Sequence, residues 1–168
     1  NNALYIGTNN FVPPVYSFAG TRGYVVNKAS LLLGTATATL FTLTPNGSTA
    51  GPYTPQGVDN LDPAATEGYF IGVDMLVFGK LVIRRVSSPG GSPTISGNLD
   101  ITVNTTTFPI AVPANGSTRP LDALDDRLFA ACIRNGRLWT AHNIQVDASG
   151  VASTTGGRNG SRWYEITD

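Results

Sequence analysis

One short segment of the chain collects the side chains that could do chemistry. Residues 127–144, RLFAACIRNGRLWTAHNI, contain the only cysteine, Cys132, the only histidine, His142, and one of the two tryptophans, Trp139. A cysteine activated by a histidine would be a nucleophile, and a histidine beside a tryptophan could hydrogen-bond and stack on a sugar. The fold of this segment decides between these possibilities.

The pattern of the segment predicts a β-hairpin. Asn135 and Gly136 both tolerate the positive φ that a type I′ turn requires at its two central residues. The two arms are then residues 128–134 and 137–144, with an arginine on each side of the turn kept solvated at the hairpin tip. A hairpin explains why these residues are neighbours without requiring catalysis.

Neither Cys132 nor His142 has a chemical partner that the sequence identifies. Cys132 lies in the apolar run FAACI, where we expect it to be buried as a small hydrophobic side chain. A nucleophilic cysteine would need a nearby base and some exposure. His142 lies on the other arm, roughly opposite Phe129, and no spacing brings it to Cys132.

Carboxylates are the other candidates for chemistry. Hydrolysis of a glycosidic bond needs two carboxyl groups that face the sugar. The candidates, which nothing in the sequence pairs, are Asp74, Asp125, Asp126 and Glu165. We expect Asp126 to form a salt bridge with Arg127 or to cap the start of the next strand, and Glu165 to point outward from its strand.

Signals for metals and cofactors are weak. Asp59, Asn60 and Asp62 in VDNLDP could offer oxygen ligands to calcium, but they lack EF-hand spacing, and such residues are ordinary turn formers. The sequence has no phosphate-binding glycine loop, no serine nucleophile elbow and no zinc pattern. We therefore expect no cofactor, with calcium at Asp59 and Asp62 as the weak alternative.

The composition argues against several partners. Charged residues make up 13% of the 168 residues, and 11 basic residues balance 11 acidic ones. A neutral chain gives no electrostatic footprint for nucleic acid or for an anionic membrane surface, and no apolar run is long enough to span a bilayer. Low charge with abundant Thr, Asn and Gly favours an extracellular or cell-surface protein.

Four Asn-x-Ser/Thr sequons are present, at Asn46, Asn104, Asn115 and Asn159. They are candidates for glycosylation on exported loops, but Asn-Gly is also a good turn dipeptide, and we give that interpretation more weight. The opening NNALYIG resembles a mature or excised N-terminus, and we expect the chain to be a piece of a longer polypeptide.

Nearly all of the chain is predicted to be β-strand. Strand patterns cover residues 4–8, 23–28, 36–44, 68–86 (two strands folded at Phe78–Lys80) and 97–103. The one helix candidate is Leu121–Ala131, where Asp122 and Asp125 could cap a turn. Charges are so rare in the strands that we expect most of them to be covered on both faces.

Similar segments recur about every 60 residues: ALYIGTNN from residue 3, GYFIGVDM from 68 and RLFAACIR from 127. This predicts one all-β unit, 1–168, of three repeats, 1–60, 61–120 and 121–168. Three to four antiparallel strands per repeat suggest three blades of a partial β-propeller, with Gly7, Gly72 and Ala130–Ala131 crowded near the axis. Half a ring exposes blade faces, so further sequence or another chain would complete it. The alternative is a β-sandwich or jelly roll.

A longer motif supports the propeller. LDDRLFAACIRNGRLWTAHNI followed by RWYEITD, together with NALYIGTNNF, resembles a group of large exported bacterial β-propeller proteins of uncharacterised activity. The resemblance implies that the chain is the N-terminal part of such a propeller. It implies no activity, and Cys132 departs from the usual valine or alanine. Candidate ligand-binding residues within these motifs are Arg127, Trp139, His142, Trp163 and Tyr164, although we favour a structural role for His142.

Three functional hypotheses follow. The first and favoured one is an extracellular, non-catalytic propeller that acts as a binding or structural module for glycans or protein partners. The second is a propeller-type polysaccharide hydrolase or lyase whose catalytic residues lie mostly outside this chain. The third is a β-sandwich carbohydrate-binding or fibre module. On this basis the chain is more easily explained as a binding protein than as an enzyme.

Overall fold

The computed structural model describes residues 2–45 and 50–167, so the sequon at Asn46 lies outside the described residues. The chain is all-β, as expected. In chain order the elements are β1 (Ala3–Val12), β2 (Ser17–Asn27), α1 (Lys28–Leu32), β3 (Ala38–Thr44), β4 (Pro52–Gly57), β5 (Asp59–Asn60), β6 (Glu67–Asp74), β7 (Lys80–Ser87), β8 (Thr94–Ile95), β9 (Leu99–Thr102), β10 (Ala130–Arg134), β11 (Arg137–Val146) and β12 (Arg158–Ile166).

These strands form three sheets. The first is the antiparallel meander β1-β2-β3. The middle sheet has the order β4-β6-β7-β8, with β9 also paired to β7, and the third has the order β12-β11-β10-β5. The three segments that resemble one another in sequence supply β1, β6 and β10, each of which is followed by its antiparallel hairpin partner.

Strands β4 and β5 do not stay with the first sheet. Both lie within residues 1–60, yet β4 pairs with β6 of the middle sheet, and β5 pairs in parallel with β10 of the third. The chain between the first and second meanders therefore supplies a strand to each of the two following sheets. This exchange joins the segment that follows the first sheet to both of the other sheets through backbone hydrogen bonds.

The sheets are stacked face to face, with the middle sheet in the centre. Phe70 and Val86 pack against the first sheet, where they meet Val25 and Leu43. Residues on the opposite face of the same strands, including Ile71, pack against the third sheet. Successive side chains of a strand point to opposite faces, so β6 and β7 contribute to two cores and are covered on both sides.

The two other sheets are covered on one face only, which corrects the expectation that most strands would be covered on both. Side chains that point away from the middle sheet remain exposed on β1, β3 and β12, including Leu4, Leu40 and Trp163. The absence of charged residues on β1 and β3 therefore does not reflect burial of both of their faces within this chain.

Close backbone packing explains two of the glycines that sequence analysis singled out. A Cβ on Gly7 would overlap the backbone carbonyl of Pro55, and a Cβ on Gly72 would lie only 2.6 Å from the carbonyl oxygen of Tyr53. The aligned alanines differ from each other, because Ala131 is buried whereas Ala130 is exposed.

The hairpin prediction is confirmed. β10 and β11 pair from Ala130 opposite Ala141 to Arg134 opposite Arg137. The two residues between these strands, Asn135 (φ 53°) and Gly136 (φ 73°), both have positive φ, as a type I′ turn requires. The predicted fold-back near Phe78–Lys80 also occurs, since the turn between β6 and β7 covers residues 75–79.

The predicted helix Leu121–Ala131 is wrong. The segment is irregular up to β10, and Leu121 forms an isolated bridge with Val112. Asp122 and Asp125 do cap turns, because their carboxylates accept the N–H groups of residues 124 and 127 at 2.8 and 3.0 Å. These local side-chain bonds offer the backbone an alternative to helical hydrogen bonds.

Truncation of Phe70 tests the shared core. Phe70 is fully buried between the first and middle sheets and packs edge-to-face on Tyr5 at 5.8 Å. We expect Phe70→Ala to lower the free energy of unfolding in urea by about 3–5 kcal/mol. Phe129→Ala is the matched control, because Phe129 is 86% exposed, and its cost should stay below about 0.5 kcal/mol. Equal losses in the two variants would contradict the layered core.

Candidate functional site

The candidate residues of the third sheet lie on its two opposite faces. Trp139 and Trp163 point outward, away from the middle sheet, whereas His142 and Tyr164 point inward. The cause is the alternation of side chains along a strand: Trp139 and His142 are three residues apart on β11, and Trp163 and Tyr164 are adjacent on β12. The structure therefore forms two pairs rather than one pocket.

The two tryptophans form an exposed stacked pair. Their ring centroids are 5.8 Å apart at an interplanar angle of 25°, and Trp163 is 66% exposed. Ala141 lies opposite Trp163 on one side and opposite Ala130 on the other. Because both alanines are small, the rings stand above a flat strip of sheet. Such a surface can stack on the apolar face of a sugar or pack against another sheet.

The same face becomes polar towards the hairpin tip. The guanidinium of Arg137 forms an ion pair with the Glu165 carboxylate, so Glu165 points outward as expected and is neutralised there. Cys132 lies opposite Trp139 and is only half-buried. The expectation that this thiol is buried is thus met only in part. We define the second outer face as Ala130, Cys132, Trp139, Ala141 and Trp163.

The inner pair is a fully bonded structural contact. His142 is buried, and its Nδ1 lies 2.6 Å from the backbone carbonyl oxygen of Asp126. Nδ1 therefore carries the proton, and Nε2 accepts the hydroxyl of Tyr164 at 3.0 Å. Burial lowers the pKa of His142 and raises that of Tyr164. With both ring nitrogens engaged, His142 fastens the segment before β10 to β11.

Arg127 pairs with Asp125, so the expected Asp126–Arg127 salt bridge is wrong. Nε and Nη2 of Arg127 each donate to the Asp125 carboxylate at 2.6 Å, and the guanidinium lies 5.7 Å from the centroid of the Tyr53 ring. Residues two apart in an extended segment share a side, whereas Asp126 points the opposite way and accepts the hydroxyl of Thr106 at 2.9 Å.

The two neighbouring carboxyl groups have pKa values shifted in opposite directions. Burial alone would raise the pKa of Asp125, but hydrogen bonds and charge from Arg127 outweigh it and hold this pKa below its usual value. Burial dominates at Asp126 and raises its pKa. Asp74 lines the same cleft as these two residues, whereas Glu165 lies on the second outer face.

The weak calcium candidates form a turn. The side-chain oxygen of Asn60 accepts the N–H of Asp62 at 3.0 Å, and the Asp62 carboxylate accepts the N–H of Ala64 at 2.9 Å. Within residues 2–45 and 50–167, no group of three or more His, Cys, Asp or Glu side chains could hold a metal ion. The Asp62 carboxylate is thus used within its own turn, and Asp59 lies on β5, where its backbone is paired with Cys132 of β10.

The three described sequons differ in accessibility. Asn104 and Asn115 are exposed. Asn159 is half-buried on β12, where its side chain accepts the N–H of Ile110 at 2.8 Å and donates to the carbonyl of Ile110 at 2.6 Å. Its amide nitrogen is thus used to pin the long connection between β9 and β10 against the edge of β12.

A surface that the sequence analysis missed is the outward side of the first sheet. Leu4, Ile6 and Leu40 are each between 42% and 49% exposed. They are aligned across the strands with the half-buried Tyr24 and with Val26, which is buried. We define these five residues as the first outer face. The alternation of residues in LYIGT and ATLFTLT was the available signal, because it marks one set of side chains for each face.

Comparisons with known proteins identify no relative. A scan against protein-family models, a search of curated proteins and a search of solved structures each found no match. In the part of the chain that the structure describes, no helix is long and apolar enough to cross a membrane.

The pH dependence of stability tests the state of His142. Its pKa in the folded chain lies below the ordinary 6.5, so the unfolded chain takes up the proton first. The contribution of this residue is therefore complete above pH 6.5 and is lost as the pH falls. We expect the urea concentration at the unfolding midpoint to be lower at about pH 5.5 than at about pH 7.5. This difference should be smaller in His142→Gln.

The carboxyl of Asp126 does not confuse this comparison. Its raised pKa acts with the opposite sign, since stability from this group is lost as the pH rises through the folded pKa. It is present in both proteins and largely cancels in the difference. An identical pH profile in wild type and His142→Gln would show that His142 does not titrate as described.

The pinning role of Asn159 is tested by Asn159→Asp. A carboxylate can still accept the Ile110 N–H but cannot donate to the Ile110 carbonyl, which is left facing a negative charge. We expect the free energy of unfolding to fall by about 1–3 kcal/mol. Asn115→Asp, in an exposed turn, is the matched control and should be close to neutral. A neutral Asn159→Asp would mean that the contact does not hold the connection.

Proposed function

We propose that the chain is an arc of three β-propeller blades that is completed by further β-sheet, either from downstream sequence or from a second chain. The completed ring would act outside the cell as a non-catalytic binding or structural module for glycans or protein partners. The observation that carries the proposal is the stack of three sheets in which the middle one is covered on both faces and each of the outer two exposes large apolar side chains on its far face.

The order of the sheets supports an arc. Three antiparallel meanders follow one another in sequence and in space, as successive blades do. A β-sandwich has two sheets, whose outward faces are normally polar. Here the two outward faces carry Leu4, Ile6, Leu40, Trp139 and Trp163, and the Arg137–Glu165 ion pair lies beside the two tryptophans. Contiguous exposed apolar surface of this kind marks an interaction site.

The chemistry of the outer faces supports protein or glycan as the partner. With 11 basic and 11 acidic residues, the chain has no excess charge for polyanions. Flat apolar faces with small neighbours suit another sheet, which packs about 10 Å away. The Trp139–Trp163 pair also suits a sugar ring in any assembly that leaves it open.

Sedimentation of the 168-residue chain tests the proposal. We expect a species heavier than the 17.6 kDa monomer, because the uncovered faces associate with one another. Leu40→Thr and Trp163→Thr, one on each outer face, should shift the chain towards monomer with little loss of folding stability. Leu121→Thr is the matched control, since Leu121 is 59% exposed but belongs to neither face.

A stable monomer at all concentrations, with no binding of an apolar dye, would overturn the arc.

The binding role is tested separately on a glycan array, with wild type and Trp163→Ala compared. Loss of a sugar signal in Trp163→Ala would place the ligand on the second outer face. Turnover of a bound polysaccharide would contradict the non-catalytic assignment.

A further inference from the structure

A cleft at one end of the middle sheet is separate from both outer faces. It is bounded by the turn after β6, by the connection between β9 and β10, and by Tyr53 of β4. Its volume is about 350 Å³, within the range of roughly 300–1,000 Å³ that is typical of ligand pockets. The cleft is formed entirely by residues of this chain.

The rim of the cleft is apolar and open to solvent. Leu76, Phe78 and Phe108 are 63%, 46% and 58% exposed. The rings of Phe78 and Phe108 meet edge-to-face, with centroids 5.0 Å apart at 78°. Aromatic side chains are normally buried. A concentration of exposed ones around a concave surface therefore indicates a binding place for an apolar group.

Hydrogen bonds hold the cleft in shape. The Asp74 carboxylate accepts the N–H groups of Leu76 and Val77 at 2.9 and 3.0 Å, which fixes the turn that carries Phe78. The hydroxyl of Thr106 accepts the N–H of Gly79 at 3.3 Å and donates to Asp126 at 2.9 Å. The rim and the floor are thereby joined before any ligand arrives.

The carboxyl groups that line the cleft differ in whether a cationic side chain pairs with them. Asp74 lies 3.6 Å from the ammonium of Lys80, and Asp125 is held by Arg127. Asp126 is buried, with only 4% of its surface exposed. Among residues 2–45 and 50–167, its carboxylate forms no ion pair. A buried carboxylate without a cation is costly, and burial accordingly raises the pKa of Asp126.

We propose that this cleft binds an apolar or aromatic ligand that carries a primary ammonium group. The ammonium would pair with the Asp126 carboxylate, and the apolar part would lie against Phe78 and Phe108, where a cation also gains from the aromatic rings. The ligand is either a free amine or a lysine of a partner polypeptide, since both present the same chemistry. The site goes beyond the proposed function, because it does not require the outer faces to be covered.

The probe is benzylammonium, titrated into the whole chain while backbone amide shifts are followed by NMR. Benzyl alcohol and benzoate, which have the same ring without the cation, are the matched ligands. We expect saturable shifts at residues 76–79 and at Thr106 with benzylammonium only. Loss of a charge-assisted bond in Asp126→Asn should weaken binding by about tenfold or more, and Phe108→Ala should also weaken it.

Asp122→Asn is the control variant, because Asp122 lies on the same segment but is exposed and outside the cleft. It should bind as wild type does. Tighter binding of a capped Phe-Lys dipeptide than of benzylammonium would identify a polypeptide as the source, and the reverse would identify a free amine.

Three results would overturn the site: no saturable shift, equal binding of the uncharged or anionic ring, or unchanged affinity in Asp126→Asn. If Asp126→Asn does not fold, the comparison of the three ligands on wild type and the exposed-site variant Phe108→Ala still decide the question. A failure here leaves the arc untouched, because sedimentation tests the outer faces alone.

Discussion

The two-sided packing of the middle sheet is the constraint on which the rest of the molecule depends. Phe70 and Ile71 are neighbours in sequence, and both are fully buried, but in different cores. Each core is closed by a separate sheet. Within residues 2–45 and 50–167, the first and third sheets therefore each pack against the middle one, and the two outer faces and the cleft are positioned relative to β6 and β7.

This arrangement explains why each outer sheet has one uncovered face. A strand buries one set of side chains against its neighbour and presents the alternate set to whatever lies beyond. On β1 and β3 the alternate set is leucine, isoleucine, alanine and threonine, and on β11 and β12 it includes Trp139, Ala141 and Trp163 beside the Arg137–Glu165 ion pair. The scarcity of charge over the whole sequence, 13%, has the same origin if these faces are meant to be covered. This composition is the one expected if the proposed further layer covers these faces.

Features set by neighbouring residues could be predicted from the sequence, and features set by distant ones could not. The turn at Asn135–Gly136 is local, because the φ values of two residues determine it. The exchange of β5 onto β10 joins residues 59–60 to 132–133, and no local pattern encodes that pairing. The helix prediction for 121–131 failed because Asp122 and Asp125 bond the backbone in turns.

The candidate ligand-binding residues show the same division. Four of them lie on β11 or β12, whereas Arg127 precedes β10. They were treated as one set although the parity of the strand residues' numbers already separates them. Trp139 and His142 must lie on opposite faces of β11, and only one of them can be exposed. The cleft beside Asp126 could not be foreseen, since Asp74 and Asp126 come together only through the packing of the middle and third sheets.

Native-state hydrogen exchange measures the role of the middle sheet most directly. If β6 and β7 form the centre of the stack, their amides should exchange last, at the free energy of global unfolding, whereas amides of β3 and β12 should exchange earlier through partial opening of the outer sheets. Protection in β3 and β12 equal to that in β6 and β7 would contradict this order and would show that the outer sheets do not depend on the middle one.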